Sequence, residues 1–115
     1  MFNDKEILIV EDEKDFSAVL QDVLQYDFSK VHVAQNAYDA IEIFKKESPH
    51  IVLSDINLPR INGLALAEQI RILKQDQPIL FMTAFQSIYD LRGVKYIQKP
   101  ITFEVLYERI KELLL

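Results

Sequence analysis

Cysteine is absent from this chain, and glycine occurs only at Gly63 and Gly93. Without thiols, neither a disulfide scaffold nor a cysteine-ligated zinc site is available. Both glycines fall at expected element boundaries and read as turn residues, which leaves no glycine-rich phosphate cradle. Basic residues are outnumbered, thirteen against eighteen acids, for a net charge of −5. A surface of that sign repels nucleic-acid phosphate, so no direct contact with DNA or RNA is expected. Long apolar runs are also missing: nothing nears the ~18 residues of a membrane span. The opening residues Met1 to Glu6 are charged and precede only four apolar residues, so no signal peptide is expected and the cytoplasm is the expected compartment. Low-complexity stretches, linkers and recognised repeats are lacking too. Residues 1–115 therefore read as one domain, long enough to bury a core.

What is present is an alternation of short apolar runs with helical periodicity. The runs are Ile7–Val10, Val31–Val33, Ile51–Leu53, Ile79–Met82 and Tyr96–Ile97. Three of them are unbroken over three or four residues, which suits strands buried on both faces of a parallel sheet. Between them, Phe16, Val19, Leu20, Val23 and Leu24 follow a helical stripe, as do Ala37, Ala40, Ile41 and Phe44. Leu66, Ile70 and Leu73 form a third stripe, and Phe103, Leu106, Ile110 and Leu113 the last. Asn36 and Thr102 stand where N-caps belong. Five βα repeats imply right-handed crossovers and an α/β fold, a doubly wound five-stranded parallel sheet. For that size the flavodoxin-like strand order 2-1-3-4-5 is expected, with a crevice beyond the carboxyl ends of strands 1 and 3.

Those strand ends carry the chemistry. Glu11, Asp12 and Glu13 follow the first strand and Asp55 follows the third, so Glu11, Asp12 and Asp55 converge in this topology. Two carboxylates ~4 Å apart repel by roughly 4 kcal/mol at an effective dielectric near 20. A hard divalent cation relieves that repulsion, and Mg²⁺ typically takes one or two carboxylates while keeping several waters. Solvated acids at helix starts are the alternative. Thr83 follows the fourth strand and Lys99, before Pro100, follows the fifth. One polar group per strand end, in this order, is a specific pattern.

Four segments carry a resemblance. They are Val10-Glu11-Asp12-Glu13, the loop from Asp55 with Pro59 and Gly63 four and eight residues on, Met82-Thr83-Ala84, and Tyr96-Ile97-Gln98-Lys99-Pro100. Together they make the chain resemble the receiver domains of two-component response regulators over essentially its whole length. The resemblance implies that Asp55 is a nucleophile forming an acyl phosphate with a phosphohistidine donor. It implies direct Mg²⁺ ligation by Asp12 and Asp55, by Glu11 through water, and by the backbone carbonyl of Asn57. Thr83 and Lys99 would meet the phosphoryl oxygens, Thr83 and Tyr96 would form a switch pair, and the Lys99–Pro100 peptide would be cis. The partners implied are a sensor histidine kinase or histidine phosphotransfer protein upstream and a protein target or effector domain downstream. Such a domain catalyses its own phosphorylation and dephosphorylation and is not a turnover enzyme. Phosphoryl transfer of this kind needs positioning and charge neutralisation above all.

One departure stands out. Thr83 and Lys99 are 16 residues apart, fewer than the family typically has, and the shortening falls on the fourth helix. About seven residues, Phe85 to Leu91, are left for it, ~10 Å of helix. With Ile88 and Leu91 as its only clear apolar pair, it should exchange its amides fast, and the family's symmetric dimer through that surface is not expected. Phe85 is expected to border the phosphoryl group and to slow its hydrolysis. A pseudo-receiver, an interaction module independent of phosphorylation, is the alternative function. A flavodoxin-like cofactor binder is opposed by the acids after strand 1. A haloacid-dehalogenase-like phosphatase would need an acid where Asn57 stands. His32 and His50 show no paired ligands at metal spacing and read as structural residues beside strands, while Leu113 to Leu115 fit either a packed helix end or an exposed one.

Overall fold

The computed structural model describes residues 1–84 and 91–115. Five strands, β1 (Phe2–Val10), β2 (Phe28–Ala34), β3 (Ile51–Asp55), β4 (Ile79–Thr83) and β5 (Tyr96–Gln98), form one sheet. Its order is β2-β1-β3-β4-β5 and every pairing is parallel, as the alternation of elements predicts. The helices among the described residues are α1 (Lys14–Leu24), α2 (Ala37–Glu47), α3 (Gly63–Leu73) and α4 (Phe103–Leu114). The helix expected over residues 85–91, with Phe85, Ile88 and the surface assigned to it, lies outside the described residues but for Leu91. Leu91 and Val94 pack half-buried against the core, and Gly93 between them turns with φ +76°. Twelve residues, 84–95, thus suffice to bring β5 parallel to β4.

Alternation along each strand divides the core in two. Ile7, Ile9, Leu53, Leu80 and Met82 face α1 and α4, meeting Leu20, Leu24, Leu106 and Ile110. Leu8, Val10, Val52 and Phe81 face α2 and α3, meeting Ala40, Phe44, Leu66 and Ile70. The caps stand where expected: the Asn36 side chain accepts from the Asp39 amide and that of Thr102 from the Val105 amide.

Two details differ from what the sequence predicts. The first strand begins at Phe2, because the Phe2 ring stacks on Phe28 with centroids 4.9 Å apart and the Phe2 amide donates to Asp27. Val19 and Leu73, placed on apolar stripes, are half exposed, while Ser17 is buried in their stead on α1. Its hydroxyl donates to the Lys14 carbonyl, so this small polar group is buried without a lost hydrogen bond. At the other end of the chain Leu113 and Leu114 pack half-buried on the α1–α4 side and Leu115 is exposed.

Gly63 also proves to be more than a turn residue. It is buried as the first residue of α3, and its amide donates to the Ile56 carbonyl at 2.8 Å. A Cβ there would collide with the carbonyl oxygen of Asp55 and press on Ile56. The obstacle is backbone at the end of a buried strand, so it has little room to yield. Overpacking of this kind typically costs ~1–3 kcal/mol. Gly63→Ala should therefore lower the urea midpoint by at least that equivalent, whereas Gly93→Ala, with no atom of the described residues near its Cβ position, should lose only what its positive φ costs. Equal stability of Gly63→Ala and wild type in urea titration would show that the loop can move away.

Candidate functional site

Register assembles the site. Val10 of β1 is the partner of Ser54 in β3, so the next residues, Glu11 and Asp55, emerge side by side. Asp55 pairs with Met82, which puts Thr83 one step further along β4. Thr83 pairs with Gln98, and Lys99 comes next, its amide donating to the Thr83 carbonyl at 2.8 Å. The Lys99–Pro100 peptide is cis.

From the end of β5 the lysine must reach back past β4. Strands lie ~4.8 Å apart, so β3 is roughly 10 Å away, a span suited to the longest aliphatic ammonium. Lys99 Nζ donates to Asp55 Oδ2 at 3.1 Å and to Glu11 Oε1 at 3.2 Å. Glu11, one methylene longer than aspartate, reaches inward from β1 and is 1% exposed; Asp55 is 5% exposed. Each carboxylate has a second donor: the Glu13 amide gives to Glu11 Oε2 at 3.0 Å and the Asn57 amide to Asp55 Oδ1 at 3.2 Å. The Phe16 ring on the first turns of α1 lies 5.0 Å from the ammonium, within cation–π range. Phe16 reads from sequence as a core residue only. Its part in the site shows once α1 is laid over the strand ends.

Asp12 is exposed, yet one of its oxygens joins those of Glu11 and Asp55 in a cluster whose ligand atoms all lie within 4.8 Å of one another. Glu13 does not join: it is exposed at the start of α1 and its side chain makes no capping bond. Asn57 is exposed beside Asp55, Thr83 is wholly buried, and Tyr96 is half-buried against the α2–α3 side of the core. All-oxygen donors on one open side fit a hard divalent cation such as Mg²⁺, which tolerates few protein ligands and retains water.

The electrostatics follow from burial. Desolvation pushes the Glu11 carboxyl up from its ordinary 4.5 to about 7, and the Asp55 charge adds to the rise, against the Glu13 amide and the Lys99 ammonium. Burial alone would lower Lys99, but the hydrogen bonds and charges of Asp55 and Glu11 outweigh it and hold the ammonium above its usual value. The net upward shift of Glu11 means that the fold favours its neutral form. Its stabilising contribution is complete below pH 4.5, where the unfolded carboxyl is also protonated, and is lost as pH rises through about 7. In metal-free buffer Glu11→Gln should thus melt a few degrees above wild type at pH 8, with the gap closing toward pH 5. A gap that widens on acidification would reverse this assignment.

Known proteins agree with the geometry. The family model described as the response regulator receiver domain matches residues 7–111. The transcriptional regulatory protein YxdJ of Bacillus subtilis is 35% identical over 112 residues, covering 91% of this chain and 48% of that protein. The response regulator MprA of Mycolicibacterium vanbaalenii is 31% identical over 114 residues, covering 94% of this chain and 49% of that one. The chain spans about half the length of these curated relatives. Among solved structures, a two-component transcriptional regulator from Clostridium phytofermentans superposes with a TM-score of 0.85 at 29% identity, covering 96% of this chain and 91% of that one. The response regulator protein TrrA from Thermotoga maritima, in complex with Mg²⁺–BeF, gives 0.84 at 32% identity, covering 96% and 99%. With a fold shared with these solved receiver structures and a family match over nearly all its residues, this chain belongs to the receiver domains of two-component response regulators.

Proposed function

We propose that residues 1–115 act as one active receiver domain, in which Asp55 accepts a phosphoryl group and the acquired charge switches a signalling surface. The donor is a phosphohistidine on a sensor histidine kinase or phosphotransfer protein. One Asp55 oxygen attacks phosphorus, the bond to the histidine nitrogen breaks, and the imidazole leaves with the electron pair. The observation that carries this reading is the Lys99 ammonium bridging Asp55 and Glu11 at 3.1 and 3.2 Å. A lysine held there holds Asp55 in place and already stands where the incoming phosphoryl oxygens need a counter-charge.

Glu11, Asp12 and Asp55, with the Asn57 carbonyl, are the residues that would hold Mg²⁺, which neutralises phosphoryl charge when bound. Asn57 contributes twice in this reading, its amide fixing one Asp55 oxygen while its carbonyl turns to the cation. Lys99 releases Glu11 and follows the phosphoryl group. The Thr83 hydroxyl moves to a phosphoryl oxygen and the Tyr96 ring turns further into the space beside β4. A hydrogen bond to a charged group is worth ~1.5–3 kcal/mol, which biases a two-state equilibrium by roughly ten- to a hundredfold. The partner that reads the switched surface is a protein target or effector domain. The compartment proposed is the cytoplasm; no helix among the described residues is long and apolar enough to cross a membrane.

Incubation with acetyl phosphate or phosphoramidate and Mg²⁺ tests the assignment. Wild type should form an acid-stable, alkali-labile acyl phosphate. Asp55→Asn should form none while keeping its fold, since the amide matches the carboxylate in shape but is not nucleophilic. Full, stable labelling of Asp55→Asn would move the acceptor elsewhere, and no labelling of wild type would favour a phosphorylation-independent interaction module. Separately, Mg²⁺ should raise the wild-type melting temperature by linkage and leave Asp12→Ala unmoved. An undiminished shift in that variant would take Asp12 out of the coordination shell.

A further inference from the structure

Away from the receiver site, the structure assembles a second group of ligand-bearing side chains that sequence spacing does not reveal. His32 of β2 pairs with Leu8 of β1, so Glu6, two residues before Leu8, lies on the same face of the sheet. His32 Nε2 and Glu6 Oε1 are 2.8 Å apart. Glu47 is the last residue of α2 and falls on its inner stripe, seven residues after Ala40 and three after Phe44, both buried. One ligand atom each from Glu6, His32 and Glu47 lies within 4.8 Å of the other two. All three residues are half-buried, with the His32 side chain 16% exposed.

A hydrogen bond between Glu6 and His32 explains two of these groups and leaves the third without a reason. Glu47 turns a second carboxylate toward the pair from the opposite layer, and among the described residues it has no hydrogen-bond or ion-pair partner of its own. Lys30, opposite Glu6 on β2, is exposed and makes no ion pair with either acid among the described residues. His50 faces Glu6 differently: its Nδ1 accepts the Glu6 backbone amide at 2.9 Å, which is the structural role expected of it.

We propose that Glu6, His32 and Glu47 form a second metal site, for a late first-row divalent cation of which Zn²⁺ is the reference, clipping the end of α2 to β1 and β2. One imidazole and two carboxylates are borderline donors that suit Zn²⁺, with water as the fourth ligand. The same set is poor for Mg²⁺, which prefers oxygen alone in octahedral geometry. Tetrahedral ligands at ~2.0–2.1 Å from a metal stand about 3.3 Å apart, so the Glu6–His32 pair is already near that spacing. Glu47 closes the remainder by side-chain rotation. On binding, the proton between Nε2 and Glu6 is released to solvent, Nε2 and the Glu6 carboxylate both turn to the metal, and the neutral ring carries its proton on Nδ1. The site is independent of the phosphoryl chemistry proposed for Asp55.

Calorimetric titration of Zn²⁺ into the whole chain, in excess Mg²⁺ to occupy the acidic crevice, tests the proposal. One Zn²⁺ per chain should bind and raise the melting temperature, and the His32 ring nitrogen resonances should shift. His32→Gln should abolish this binding. Glu47→Gln, a milder change at a helix end, should weaken it by more than the ~10–100-fold that loss of a mere outer-shell partner costs. Asp12→Ala should bind Zn²⁺ as wild type does, and His32→Gln should still be phosphorylated by acetyl phosphate. Absence of saturable binding, loss of binding in Asp12→Ala or His50→Gln, or full affinity in Glu47→Gln would each overturn the site and leave Glu6–His32 as a structural hydrogen bond.

Discussion

Glu11 and Asp55 are buried carboxylates that share one ammonium, and the top of the molecule is organised around that shortage of positive charge. Among the described residues each accepts from one backbone amide and from Lys99. Two ionised acids with a single lysine carry a net negative charge where water is mostly excluded, and desolvation is costly there. Burial first, and the Asp55 charge after it, displace the Glu11 carboxyl upward. In the function proposed, a cation from solution would complete the balance and an incoming phosphoryl group would change it again. A site in this condition is ready to respond to ligands because its resting state is not fully compensated.

The surrounding architecture serves to keep these groups in place. Parallel strands end together, so residues one step beyond their last pairings gather at one edge of the sheet. The close approach of α3 to the Asp55 carbonyl is possible because Gly63 has no side chain, and it fixes the backbone that carries the carboxylate. Phe16 closes the wall behind the ammonium from α1. The layers beneath are apolar and continuous, with Ile7, Leu53 and Leu80 on one face and Leu8, Val52 and Phe81 on the other. Such packing resists small displacements, which suits a site whose side chains converge from the ends of four strands.

The other end of the sheet follows the opposite plan. Glu6, His32 and Glu47 lie on inward-facing positions that elsewhere in the same elements carry Leu8, Ala34 and Phe44. Half-buried polar groups at core positions need partners; Glu6 and His32 find one in each other across β1 and β2, while Glu47 of α2 has none among the described residues. The two polar clusters are separated along β1 by the apolar run Ile7–Val10, so each keeps its own charge environment.

The sequence by itself determined the alternation of elements, the strand order that alternation favours, the caps at Asn36 and Thr102, and the acids, threonine and lysine of the receiver site. These were legible because periodicity, capping chemistry and strand-end position are local properties written within a few residues. The roles taken from family resemblance rested on four short segments of the same kind. Only the tertiary structure decided which side of each helix is buried, and so left Val19 and Leu73 half exposed and drew Ser17 inside. It alone extended β1 back to Phe2, gave Gly63 its steric reason, made Phe16 part of the site and brought Glu47 to His32. Those outcomes depend on partners far apart in the chain, 26 residues for Glu6 and His32 and 88 for Lys99 and Glu11. A side chain's spacing within its own element fixes the direction in which it points, but what it meets there is set by the packing of elements the spacing does not describe.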